Sequence, residues 1–214
     1  KDGRAYRSPE KTVEVSVSPA QYSYISDLSS LSAMDDFSSV GFSIKPVSGF
    51  SNPAIHSVHP YENSKDYIIQ LKTPIIVQAE NAVLSYQDVA LIEEGYGTSH
   101  LDPNFYDFVI IEGTRDGVNW IPLKTGYDSR FYSVWLTAYR NGLDGWDSST
   151  KGNESMYYTH TINLLEKFDA GEKIFIRYRL HADGLAIAWG WAIDSIKIQA
   201  DALFTAGNTS GMPS

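Results

Sequence analysis

The chain has no cysteine in its 214 residues. That absence excludes disulfide scaffolds, cysteine-ligated zinc, iron–sulfur clusters and cysteine nucleophiles. It leaves the compartment open, because exported bacterial proteins also do without cysteine. Long hydrophobic runs are missing too, and no apolar stretch approaches the roughly 18–20 residues of a membrane-spanning helix. Basic charge is scarce: 17 Lys and Arg stand against 26 Asp and Glu, giving a net charge of −9. Such a surface repels a phosphate backbone, which argues against nucleic-acid binding, and it favours hard cations such as calcium. Catalytic motifs are also lacking. The sequence has no GxSxG elbow, P-loop or GxGxxG, and His56 and His59 have no glutamate at the spacing of a zincin. Neither an initiator Met nor a signal peptide precedes Lys1, and Gly207–Ser214 is polar, so the chain is expected to be a piece of a longer protein.

What is abundant is aromatic. Fourteen Tyr and 5 Trp help bring the aromatic share to 13%, which suits a β-sandwich that fills its core with rings. Thr12–Ser18 alternates cleanly and predicts a strand. Residues 21–33 are Ser-rich without a sustained period and read as a linker. Further strands are expected over Asp66–Lys72, Pro74–Gln78, Ala82–Ile92, Phe105–Glu112, Asn119–Leu123, Lys173–His181 and Trp191–Ala200. Asp-Gly pairs at 116–117, 144–145 and 183–184 mark tight turns. Helical signal is thin, with one turn expected over Asn163–Phe168 under an Asn163 cap. There is no repeat and no alternation of strands with helices, so the expectation is an all-β jelly-roll β-sandwich over residues 34–201. Residues 1–33 form an arm, strand and linker in this reading, and residues 202–214 a polar tail. Val109, Ile111, Ile174, Ile176, Tyr178, Ile196 and Ile198 should be buried, with Trp120 covering the 105–123 hairpin.

Few residues carry chemistry. The neighbouring acids Glu93-Glu94 and Asp35-Asp36 do not face each other across a cleft, as a glycosidase requires, and read as solvated or ion-binding groups. Asp194 is more informative. In an unbroken strand it shares a face with Ala192, Ile196 and Ile198 and looks inward. An inward carboxylate needs a cation, a basic partner or backbone N–H groups, whereas a bulge at 194–195 would turn it outward. Trp135, Tyr139, Trp146, Tyr157 and Tyr158 lie in a segment without strand period, where loop aromatics form a candidate platform for a ligand.

The segment Ile174–Ile198 (IFIRYRLHADGLAIAWGWAIDSIKI) resembles the closing segment of MAM-like jelly rolls. These include cleaved-adhesin domains of gingipain-type surface proteins and C-terminal domains of immune-inhibitor-A-type proteases. Phe105–Trp120 is similar to their hairpin, Gly126-Tyr127-Asp128 with Trp135 to the stretch that follows it, and Met34–Phe42 to the opening strand. Ser195 and Ala192 depart from the family pattern. The resemblance implies a galactose-binding-like sandwich that is not an enzyme. Its place would be a large secreted or cell-surface protein, often one exported by type IX secretion, where it serves as an interaction or adhesion module. The alternative is a carbohydrate-binding module attached to a secreted protease or glycosidase. Expected partners are other domains of the same protein, glycans, or host and cell-surface proteins. The resemblance also implies a structural calcium ion held by Asp36 and Asp194, with Asp35, Ser38 or backbone oxygens of 52–56 completing the shell.

Overall fold

Alternation builds the long strands. Lys173–Ala182 alternates buried and partly exposed residues without a break, placing Ile174, Ile176, Tyr178, Leu180 and Ala182 in the core. The computed structural model describes residues 18–200. In chain order the strands are β1 (Tyr24–Ser26), β2 (Phe37–Val40), β3 (Phe42–Lys45), β4 (Ala54–Ser57), β5 (Lys65–Leu71), β6 (Ile75–Ile76) and β7 (Val83–Leu91). They continue with β8 (Phe108–Thr114), β9 (Ile121–Pro122), β10 (Leu143–Asp144), β11 (Asp147–Ser148), β12 (Tyr158–Asn163), β13 (Lys173–Ala182) and β14 (Gly190–Ile198). Two antiparallel sheets face each other. One runs β12-β7-β14-β4-β3, with β1 also on β14, and the other runs β2-β5-β13-β8-β9, with β6 also on β13. Consecutive strands fall repeatedly in opposite sheets, which gives the all-β jelly-roll sandwich. Tyr178 of one sheet meets Tyr86 and Trp191 of the other, with ring centroids 5.4 and 6.0 Å apart. All seven residues expected in the core are buried. Trp120 is half-buried and lies under the Arg177 guanidinium at 3.9 Å.

Several local features differ from expectation, and two expected segments lie wholly or mostly outside the described residues. Most of the strand expected over Thr12–Ser18 lies outside the described residues, as does the tail at 202–214. The 21–33 stretch, expected as a linker, contributes β1, which pairs with β14 and sets Tyr24 opposite Ile198. It also contributes Leu28, which is wholly buried. Only Gln21, bridged to Ile75, and the three residues of β1 pair, too few to impose a period. The helix α1 (Ser133–Asn141) stands where no element was assigned. Its signal was the four-residue spacing of Trp135 and Tyr139 followed by Gly142, but no side chain caps its N-terminus. The turn at 164–166 forms as expected, with Asn163 accepting the Leu165 N–H.

A carboxyl group sits inside this core. Asp88 on β7 is fully buried. It accepts hydrogen bonds from Tyr127 Oη at 2.5 Å, Trp191 Nε1 at 2.8 Å and His160 Nε2 at 2.9 Å. Lys124 Nζ donates to His160 Nδ1 at 2.8 Å, so the network reaches the surface through a lysine.

Candidate functional site

Strand pairing delivers the chemistry to one end of the sandwich. β7 ends with Leu91 opposite Gly190, where β14 begins, and β8 begins with Phe108 opposite His181, near the end of β13. The connections 92–107 and 183–189 therefore leave from the same end. Glu93, Asp107 and Asp183 sit within two residues of those strand ends, and carboxylate oxygens from all three lie within 4.8 Å of one another.

Tyr61 organises this cluster from beneath. Its hydroxyl donates to Asp107 Oδ2 and accepts the Glu93 N–H at 3.1 Å. Asp107 Oδ1 accepts the Asp183 N–H at 2.7 Å, and Asp183 Oδ1 accepts the Leu185 N–H at 2.9 Å. Burial, followed by the field of Asp107, Asp183, Asp128 and Asp147, pushes the Glu93 carboxyl up to about 8. Burial lifts Asp107 to about 6 against the pull of its hydrogen bonds. The neighbour Glu94 goes elsewhere, pairing with Arg140 at 2.7 Å. Adjacent acids thus part company, and Glu93 finds its companions 14 and 90 positions further along the chain (107 − 93 and 183 − 93).

Beside the cluster lies a groove of about 500 Å³. Its apolar lining comes from Val47, Pro60, Ile187 and Trp189, and its polar lining includes Ser48, Asp144, Asp147, Ser149, Thr150 and Lys151. His59 stacks on Trp189 with centroids 3.9 Å apart and donates from Nδ1 to the Trp189 carbonyl at 2.7 Å. That bond leaves Nε2 to accept from His56 Nδ1 at 3.1 Å. Burial is the main cause holding both rings neutral, lowering His56 to about 3 and His59 to about 4. A Cβ on Gly152 would sit 2.6 Å from the Trp189 ring, so the chain can pass behind that ring only as glycine. One wall is the β10–β11 hairpin, where Asp144 pairs with Asp147 and Gly145 turns at φ +66°. Trp146 stands at its tip and is 69% exposed. Asp147 Oδ1 accepts the Ile187 N–H at 2.9 Å, tying the hairpin to the 183–189 connection.

The structure does not assemble the residues chosen for calcium. Asp36 precedes β2, in one sheet, while Asp194 lies on β14, in the other. Asp36 is exposed and accepts the Tyr24 hydroxyl proton at 2.9 Å, and Asp35 is also exposed. Among the described residues, neither Asp35, Asp36 nor Asp194 belongs to a group of three or more converging acids or histidines. The inward orientation of Asp194 needs correcting as well. The β7–β14 register shifts between Asp194 and Lys197, and Ser195 takes φ +52°. Ile193 pairs with Asp88 and Ile198 with Leu84, which share a face, whereas Asp194 pairs with Gln87 on the opposite face. The bulge therefore turns Asp194 away from Ile196 and Ile198, and its carboxylate accepts the Ser195 N–H at 2.6 Å. Arg177 and Arg179 pair with Glu112, not with Asp194.

The five candidate aromatics separate in the same way. Trp135 and Tyr139 are buried on the inner side of α1, with Trp135 Nε1 bonded to the Met156 carbonyl at 2.8 Å, so they do not face a ligand. Tyr157 and Tyr158 are half-buried, packed on Phe50 and on Phe131 with Tyr132 respectively. Trp146 is the member of the set that is open to solvent.

No protein-family model matches the chain, and no curated protein matches it. Fourteen chains of solved structures do match. One is the X-ray crystal structure of a carbohydrate-binding module, CBM28, specific for non-crystalline cellulose. It shares 10% sequence identity at a TM-score of 0.45, over 87% of this chain and 100% of that one.

Proposed function

We propose that this chain is a non-catalytic carbohydrate-binding module whose saccharide lies in the groove beside the β10–β11 hairpin. The observation that carries the reading is the placement of Trp146, exposed at the hairpin tip between Asp144 and Asp147, which line the groove. A pyranose ring has an apolar C–H face and a rim of hydroxyls. It is held by an aromatic ring against the first and by carboxylates, hydroxyls and ammonium groups around the second. Trp146 supplies the ring, while Asp144, Asp147, Ser149, Thr150 and Lys151 supply the polar partners. The groove, at about 500 Å³, is of the size that holds a small ligand or a few sugar units. The resemblance of the 105–120 and 174–198 segments to cleaved-adhesin and immune-inhibitor modules supports a place on an exported, surface-associated protein. Among the described residues no helix is long and apolar enough to cross a membrane.

The test is a glycan array probed with the tagged chain, with hits confirmed by titration and checked for release of reducing ends. Binding without hydrolysis is the expected result. An array that stays blank with folded protein contradicts the reading, and release of reducing ends contradicts its non-catalytic part.

A further inference from the structure

We propose that Glu93, Asp107 and Asp183 form a binding site for a calcium ion at the loop end of the sandwich. These are not the acids that the family resemblance selected, and the site is independent of the saccharide groove. The first observation is convergence, with oxygens of three carboxylates within 4.8 Å of one another. Two ligands on opposite sides of one calcium ion lie about 5 Å apart, twice a bond of 2.3–2.6 Å, so the three oxygens fit around a single ion.

The second observation is an orphaned atom. Glu93 is only 6% exposed, and its Oε2 is buried without a hydrogen-bond partner. A buried carboxylate oxygen without a partner is costly and needs a counter-charge or a proton. None of the ion pairs among the described residues supplies a counter-charge. Arg130 goes to Asp128, Arg140 to Glu94, and Arg179 to Glu112 and Asp66.

The donor set defines the metal. The three carboxylates bring no nitrogen and no sulfur, which selects a hard cation. They arrive from the two ends of the 92–107 connection, braced by the Tyr61 hydroxyl, and from the start of 183–189, an arrangement that suits the adaptable shell of calcium better than the strict octahedron of magnesium. The ion would tie the 92–107 and 183–189 connections together.

The experiment uses the full chain, stripped with a chelator and titrated calorimetrically with calcium chloride and, separately, with magnesium chloride. Thermal melts are run in parallel. A saturable one-to-one calcium isotherm is expected, with Tm raised by about 5–10 °C at a hundredfold excess over Kd. Glu93→Gln and Asp183→Asn should each weaken calcium binding by about tenfold or more while keeping the wild-type circular dichroism spectrum in chelator. Asp36→Ala and Asp194→Ala should bind as wild type. Absence of both saturable heat and a Tm shift overturns the proposal, as does wild-type affinity in folded Glu93→Gln and Asp183→Asn. Loss of binding in Asp194→Ala places the ion elsewhere and also overturns it, and equal affinity for magnesium overturns the assignment to calcium.

Discussion

Asp88 shows how much one side chain can organise. Three donors from three segments, Tyr127, Trp191 and His160, converge on its two oxygens in the interior of the sandwich. Replacing it with alanine strands those donors in the interior. Asp88→Ala should therefore cost about 3–5 kcal/mol of unfolding free energy in urea titrations, and a cost below about 1 kcal/mol would contradict this account. Glu93 makes a different prediction, through pH. Its folded carboxyl is raised from 4.5 to about 8, so in chelator the folded state holds a proton that the unfolded state has released. Stability then falls as pH rises between those values. Asp107 acts in the same direction but only up to about 6. His56 and His59, lowered from 6.5, act in the opposite direction and only below that pH. Between about pH 6.5 and 8, Glu93 is the raised carboxyl still titrating. The melting temperature in chelator should decline across that window in wild type and stay flat in Glu93→Gln. A flat wild-type profile would contradict the burial assigned to Glu93. Nothing next to Glu93 in sequence announces this behaviour, since it depends first on burial and then on Asp107 and Asp183, which the fold brings to it.

At the scale of elements, the strands were legible where alternation ran for seven or more residues, whereas the six residues of β12 (Tyr158–Asn163) were not assigned although their burial alternates. β5, β7, β13 and β14 lie within two residues of their expected positions, because a half-buried strand writes its burial into every second residue. Short or interrupted elements left less trace. β1 contributes three residues, α1 has an uncapped start, and the bulge at 194–195 inverts the face of a single aspartate while leaving Ile196 and Ile198 buried. The inward orientation expected of Asp194 was lost at that one-residue irregularity, since strand alternation holds only while the register does. The central strands should respond to truncation as a packed core does. Ile176, on β13 between β5 and β8, is 1% exposed. Ile176→Ala should lower unfolding stability by about 2–5 kcal/mol, and a loss under about 1 kcal/mol would mean the core is looser than described.

For the whole molecule, the jelly-roll path is what turns dispersed residues into sites. Glu93, Asp107 and Asp183 stand 90 positions apart at the extremes and meet because β7, β8 and β13 place their ends together. The groove likewise draws on residues from 47 to 189. The sequence marks one of its walls through the Asp144-Gly145 turn, with Trp146 exposed at the tip of the same hairpin. The partners that meet there follow from strand order, which composition and periodicity do not encode. The measurement that bears most directly on the function is the affinity of wild type and Trp146→Ala for a glycan identified on the array, titrated at equal concentration with folding verified. The account predicts a loss of roughly tenfold or more in Trp146→Ala, equivalent to about 1.4 kcal/mol of contact with the ring. Equal affinity in the two proteins would contradict the placement of the saccharide beside the β10–β11 hairpin.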